Sequence, residues 1–171
     1  GAPMIAPQSE RNLWRGATWE IQVFYPAPGV LYTRASGHAT LEAAHHAMRA
    51  FDRLAAITVE KIEAFHDWEG ITGYDAEVRA EYTRWSKSHT ERLGGVHVMV
   101  RSRLVAMAVT LVSAAVGGKI YAYNDRSAFE KLRAEAIVRR RRQSEPPPPP
   151  SGPLSSQRIS RGGPGGGDSG G

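Results

Sequence analysis

The sequence contains no cysteine among its 171 residues, which excludes disulfides, thiol nucleophiles and cysteine-ligated metal sites. Long hydrophobic runs are also lacking, because the most apolar segment, residues 104–116, is shorter than the roughly 20 residues of a membrane-spanning helix. The first twelve residues do not combine a basic region with an apolar core, as a secretory signal would. We therefore expect a cytoplasmic protein without a transmembrane segment, and we expect residues 1–3, ahead of Met4, to derive from cloning.

The net charge of +5 comes mainly from arginines in the last quarter of the chain. The arginines concerned are Arg139, Arg140, Arg141, Arg142, Arg158 and Arg161. Without them the remaining chain is close to neutral, and nucleic-acid binding is not expected. We expect the run 139–142 to form a solvated, basic end to the last helix.

Three regions differ in composition. Residues 1–17 include Pro3 and Pro7 without clear periodicity, and we expect a flexible N-terminal arm. Residues 18–142 carry the hydrophobic patterns of one folded domain. Residues 143–171 contain five consecutive prolines followed by Gly, Ser and Arg, a composition that predicts a disordered tail with a stiff polyproline spacer.

The hydrophobic periodicity of the central region predicts alternating strands and helices. Residues 19–25 alternate apolar and polar side chains, and apolar residues after Thr40 recur at helical spacing. The predicted strands are 19–25, 30–35, 57–66, 96–100 and 119–123, and the predicted helices are 40–54, 75–92, 104–116 and 128–142. The order β β α β α β α β α predicts an α/β fold: a five-stranded, mixed, mainly parallel sheet with helices packed on it.

One segment, residues 62–78, carries the strongest functional signal. Its sequence indicates a buried strand that ends near His66, an acidic turn, and a helix that begins at Asp75. In open α/β folds, loops at the carboxyl ends of the strands form the binding surface. We therefore expect recognition to occur in the loop from Asp67 to Asp75.

The same segment resembles the STAS domain, the family of the bacterial anti-sigma-factor antagonists and of cytoplasmic domains of sulfate transporters. In that family the third strand runs into a pattern of the type D-hydrophobic-small-G-[VI]-T-x-[IL]-D-S-[SAT]-G, and residues 67–77 here read DWEGITGYDAE. The residues in register are Asp67, Gly70, Ile71, Thr72 and Asp75. In element order the resemblance covers residues 18–140, and it implies a STAS-like fold.

The sequence departs from the family pattern at Ala76. The resemblance implies a serine or threonine there, whose hydroxyl accepts phosphate at a helix N-terminus. Alanine has no hydroxyl, so the usual phosphorylation switch is not expected at this position. Glu77 as a fixed negative charge and Thr72 as a nearby hydroxyl are conceivable substitutes, although Glu77 is explained more simply by a favourable interaction with the helix dipole.

The resemblance implies a non-enzymatic protein-interaction domain in bacterial signalling or regulation, with a switch kinase or another regulatory protein as partner. Catalytic motifs are not evident, the six histidines show no metal-ligand spacing, and no catalytic residue, cofactor or metal is expected. Two alternatives are a domain that binds a small ligand or lipid beside the apolar helix 104–116, and a scaffold tethered by its tail; a homodimer is compatible with any of these. The residues expected to contact the partner are Asp67, Trp68, Glu69, Thr72, Tyr74, Asp75, Glu77 and Arg79.

Overall fold

A computed structural model describes residues 12–152 of the chain. The strands are β1 Leu13–Arg15, β2 Trp19–Ala27, β3 Val30–Ala39, β4 Ile62–Tyr74, β5 Leu93–Met99 and β6 Ile120–Tyr123. The α-helices are α1 Leu41–Ile57, α2 Ala76–Ser88, α3 Arg103–Ala115 and α4 Arg126–Ser144, and a short 3-10 helix, Thr90–Arg92, precedes β5.

The six strands form one sheet whose spatial order follows the sequence, β1 to β6. The first two pairings are antiparallel, and the pairings of β3 with β4, β4 with β5, and β5 with β6 are parallel. This arrangement confirms the predicted α/β class and its mixed, mainly parallel sheet. The sixth strand, β1, lies in the segment that was predicted as part of a flexible arm.

The helices divide unequally between the two faces of the sheet. Three successive parallel crossovers advance in one direction, and crossovers of the same hand put their helices on the same face. Accordingly α1, α2 and α3 share a core with Ile21, Leu31 and Ala64 of the sheet. Among the helices of residues 12–152, only α4 covers the opposite face, where Phe129 packs among the residues of a smaller cluster that includes Phe65.

Local sequence patterns account for the elements that were predicted best. Trp19, Ile21 and Val23 of β2 are buried, while the residues between them are partly exposed. Helix α1 begins after Thr40, whose hydroxyl accepts a hydrogen bond from the Ala43 amide at 3.4 Å. This contact satisfies one of the backbone donors that a helix start leaves unpaired.

Three predicted boundaries are wrong. The strand expected at 57–66 begins at Ile62, because α1 continues to Ile57. The helix expected at 75–92 ends at Ser88. Gly94, interpreted as a helix stop, lies inside β5, where a Cβ atom would come within 3.0 Å of the Ile62 carbonyl oxygen. The glycine is therefore needed for close contact between strands rather than for a turn.

The expectation of a solvated basic helix end holds for Arg141 and Arg142, which are exposed, and is wrong for Arg140. Arg139 forms an ion pair with Glu63, and Arg140 is buried, where it binds Glu60 at 3.1 Å and the Lys61 carbonyl at 2.7 Å. These arginines attach the end of α4 to the start of β4. Arg139 and Arg140 therefore stabilise the packing of α4 on the sheet.

The remaining predictions for the termini fall mainly outside the described residues, in 1–11 and 153–171. Residues 146–152 are exposed and form neither helix nor strand. Within the described part of the chain, none of the helices has the length and apolar character needed to cross a bilayer.

Candidate functional site

The segment expected to be a recognition loop belongs to a long strand. β4 continues from Ile62 to Tyr74 and stays paired with β3, up to the pair of Ala39 with Tyr74. Two register shifts, each with one extra residue in β4, occur along this pairing. Gly70 does not mark a turn, because a Cβ atom there would lie 2.8 Å from the Cβ of Ser36. The predicted loop 67–75 is thus corrected to strand, and only Asp75 lies between β4 and α2.

Because side chains alternate along a strand, the predicted partner-binding residues separate onto two faces. Trp68 faces the helices α1 to α3, as does the buried His66. Asp67 and Glu69 face the other side, where both contact Arg126 of α4. The acidic residues and the tryptophan therefore do not form one surface.

Asp67 and Glu69 lie in a polar cleft in the middle of β4, level with the carboxyl end of β5, whose last residue, Met99, pairs with Asp67. Asp67 is only 6% exposed, and both of its carboxylate oxygens accept hydrogen bonds from Arg126, at 3.0 and 3.1 Å. Arg126 also donates to Glu69 at 3.1 Å and to Glu130 at 3.0 Å. Hydrogen bonds to Asp67, and then to Glu69, raise the pKa of the Arg126 guanidinium further above its ordinary value. The cluster holds the first turn of α4 against the sheet.

Two further arginines line this cleft. Arg34 approaches Asp67 at 3.9 Å and has a largely exposed side chain, and Arg101 follows β5. Positive and negative groups thus alternate across the cleft, so it has no strong net charge.

The start of α2 presents the remaining predicted residues. Asp75 is the N-cap residue, yet its carboxylate does not cap the helix and instead binds His38 Nε2 at 2.7 Å. Ala76 and Glu77 are exposed in the first turn, as are Thr72 near the end of β4 and Arg79 of α2. Tyr74 is half-buried and packs against the core beneath α1 and α2.

An apolar cavity of about 120 Å³ lies between the sheet and helices α1 to α3. Helix α2 packs mainly on α1 and α3 and makes few contacts with the sheet, which leaves space beneath it. Small side chains also contribute to the space; those lining it include Ala43, Ala44, Ala47, Ala64 and Ala108. Aromatic side chains line the rest of the wall, among them Trp68, Tyr82 and Trp85.

A short polar network reaches the mainly apolar wall of the cavity, where His66 and Trp68 line it and the buried Thr33 lies behind them. Trp68 Nε1 donates to the Thr33 hydroxyl at 3.3 Å, and Thr33 Oγ1 lies 2.6 Å from His66 Nδ1. The ring of His66 stacks on that of Trp68, with 4.8 Å between centroids. Burial, with a smaller effect from His97, lowers the pKa of His66 to about 3. His66 is therefore neutral at physiological pH.

Burial also raises the pKa of the Tyr82 hydroxyl, so Tyr82 is uncharged as well. Its ring lies 5.6 Å from that of Trp68 and connects α2 to β4 across the cavity. Throughout residues 12–152, no group of three or more histidine, aspartate or glutamate side chains is arranged to hold a metal ion.

Sequence reasoning missed Thr33, His66 and Arg126 as members of these sites. Thr33 is an ordinary residue within a predicted strand, and only the pairing of Thr33 with His66 in β3 and β4 brings the two side chains together. Arg126 is 59 residues from Asp67 in sequence. The available signal was limited to Arg126, which lies just after the last strand, where the ends of parallel strands converge.

Comparisons with known proteins bear on the fold alone. No family model and no curated protein matches the chain. Among solved structures, the chain is similar to an uncharacterised protein of the DUF3478 family from Shewanella loihica PV-4 with a SpoIIAA-like fold. The identity is 16%, the TM-score is 0.50, and the match covers 70% of this chain and 96% of that chain. The chain thus has a STAS-like fold.

Proposed function

We propose that this STAS-like domain acts by binding, not by catalysis, and that it takes a small, mainly apolar ligand into the cavity beneath α2. The observation that carries the proposal is the cavity itself, whose wall includes Val105, Val109 and Val112 of the apolar helix α3. A continuous core beside this helix would have counted against ligand binding.

The volume of the cavity favours an occupant. Protein interiors are close-packed, and an unfilled cavity costs roughly 24 cal/mol per Å³. For about 120 Å³ this gives an upper bound of about 3 kcal/mol, because the lining includes the exposed Arg79 and the cavity is not fully enclosed. A ligand would recover part of this cost. An apolar cavity of roughly 150 Å³ binds benzene in another protein, so a molecule of similar size is the appropriate probe.

The experiment fills the cavity from α3. Ala108 lines the cavity, whereas Ala114 is exposed on the same helix, so Ala108→Leu and Ala114→Leu add the same atoms inside and outside the site. Titration with methylenecyclopentane, followed by NMR of the tryptophan indole groups, should show binding to the wild-type protein and to Ala114→Leu. Binding should be lost in Ala108→Leu. Equal binding to both variants, or no binding to the wild type, would contradict the proposal.

A second candidate function is the binding of a protein partner in the regulation of a bacterial cell, as the STAS resemblance implies. The observation that favours it is the exposure of Thr72, Glu77 and Arg79 around the start of α2, which leaves charged groups available to a partner. Asp67 and Glu69 support this candidate less, because Arg126 already binds them.

This candidate is tested by exchanging charges on α2 while the net charge stays constant. Glu77→Arg combined with Arg79→Glu changes the proposed surface, and Lys131→Glu combined with Glu135→Lys changes an exposed part of α4 as a control. Quantitative affinity purification from the native cell should identify a partner that the α2 variant loses and the α4 variant keeps. A set of captured proteins that is identical for the two variants would argue against this surface.

A further inference from the structure

The hydrogen bonds around Thr33 allow donor and acceptor roles to be assigned to Trp68, Thr33 and His66. An indole nitrogen can only donate, so the Thr33 hydroxyl accepts from Trp68. The Thr33 hydroxyl can then donate its own proton to a second partner. Among the residues that the structure describes, the acceptor within hydrogen-bond distance of this hydroxyl is His66 Nδ1, at 2.6 Å.

The direction of the network selects one tautomer of His66. A neutral imidazole carries one proton, and if Nδ1 accepts from Thr33 that proton is on Nε2. In the part of the chain covered by the structure, Nε2 has no hydrogen-bond partner, although the side chain is only 9% exposed and lines the cavity. Nε2 is not fully enclosed by protein atoms, since within residues 12–152 only Arg92 Nε is an enclosed side-chain atom without a partner, so a molecule in the cavity can reach this N–H group. A donor left without a protein acceptor favours an occupant that can accept from it.

We infer that the cavity ligand carries a hydrogen-bond acceptor, such as a ketone, aldehyde or ester oxygen, that binds His66 Nε2–H. The inference rests on the proposed ligand-binding function and specifies the chemical class of the ligand. Because the wall is mainly apolar, the rest of the ligand should be apolar. Thr33 is a positioning residue, which fixes the tautomer of His66.

An uncharged acceptor fits this environment better than a carboxylate. A buried anion requires a compensating charge, and His66 is neutral because its pKa is far below its usual value. The lining includes one arginine, Arg79, but its side chain is exposed and the lining also includes Glu20. Tyr82 also lines the cavity, its ring lies 5.6 Å from that of Trp68, and its hydroxyl makes no hydrogen bond within residues 12–152. Tyr82 is therefore the appropriate control for the assignment to His66.

The test compares cyclopentanone with methylenecyclopentane, in which a CH₂ group replaces the ketone oxygen. Affinities for both probes are measured by NMR titration of the wild type, His66→Phe and Tyr82→Phe. Both substitutions remove a polar group and keep an aromatic ring. In His66→Phe the affinity for the ketone relative to the hydrocarbon should fall by about two- to tenfold, the effect of one hydrogen bond. In Tyr82→Phe the ratio should stay within about twofold of the wild-type value.

The outcomes separate this inference from the proposed function. If neither probe binds the wild type, the ligand-binding function itself fails. If both bind and the ratio is unchanged in His66→Phe, or falls only in Tyr82→Phe, the cavity binds ligands but the role of His66 is wrong. Long-range ¹H–¹⁵N NMR of the unliganded wild type reports the tautomer without any substitution. A proton on Nδ1 of His66 would overturn the inference even if His66→Phe failed to fold.

Discussion

His66 and Asp67 are neighbours in sequence and lie on opposite faces of β4, where each is buried with a different kind of partner. Asp67 forms an ion pair with Arg126, which donates to both of its carboxylate oxygens. His66 has the Thr33 hydroxyl as its partner, and burial lowers its pKa so that the imidazole is neutral. Two ionisable residues at the centre of one strand are thus accommodated in two ways, one by an ion pair and one by neutralisation.

The lowered pKa of His66 predicts a loss of stability in acid. In the unfolded chain its pKa is near 6.5, and in the folded protein it is about 3. Between these values the unfolded state binds more protons, so this contribution is present above about pH 6.5 and is lost as the pH falls toward 3. From about pH 7 to about pH 5 the expected loss is about 2 kcal/mol.

Urea unfolding at the two pH values measures this loss, and His66→Phe provides the comparison. The pKa values of His46 and His97 are lowered as well, mainly by burial, so the variant should retain part of the pH dependence. The dependence should be smaller in the variant than in the wild type by the amount assigned to His66. An identical pH dependence in the two proteins would show that His66 is not the buried neutral group described here.

At the scale of the elements, the sequence predicted the central parts well and the ends poorly. The helical stripe of α1 and the alternation of β2 depend on local periodicity, which can be read from one segment. The extension of β4 beyond His66 depends on β3, because residues 70–74 are in strand conformation only through pairing with residues 36–39. Non-local pairing of this kind also brings together Thr33, His66 and Trp68, so the polar network of the cavity could not be predicted from the sequence.

Gly37 illustrates such a non-local requirement within β3. Its φ is +90°, and a Cβ atom there would lie 2.1 Å from the Thr18 carbonyl oxygen. Gly118 has a similar φ of +79°, but a Cβ atom there would meet nothing within 4 Å among the described residues, so it serves as the control. We expect Gly118→Ala to destabilise the protein by about 1 kcal/mol and Gly37→Ala by at least about 3 kcal/mol.

Thermal or urea unfolding of the two variants checks this prediction. Equal and small effects would mean that the β2–β3 hairpin can move apart at Thr18 without cost. That result would contradict the close approach of the two backbones described at Gly37.

At the scale of the whole molecule, α4 is the single helix on its face within residues 12–152 and is held by arginines near both ends. Arg126 binds Asp67 and Glu69 in the middle of β4, while Arg139 and Arg140 bind residues at or just before its start. The helix thus follows the first half of the strand. Its central contacts are apolar, through Phe129 and Ala136.

Removing Arg126 should weaken this attachment. In Arg126→Ala the buried Asp67 carboxylate loses its main partner, and we expect a loss of about 1 to 3 kcal/mol, reduced from the buried-pair range because Arg126 is partly exposed. Arg101 lines the same cleft and forms no ion pair within residues 12–152, so Arg101→Ala should change the free energy of unfolding by less than about 0.5 kcal/mol. Urea denaturation of both variants measures the difference, and equal effects would contradict a specific role for Arg126.

The two edges of the sheet are its shortest strands, with three residues in β1 and four in β6. An exposed edge offers unpaired N–H and C=O groups to a strand from another molecule, and its length limits how many bonds such a strand can form. A strand from another molecule could therefore form only a few backbone hydrogen bonds with β1 or β6. At the high concentrations reached during overexpression, the short edge strands of the described sheet should disfavour growth into fibrous aggregates.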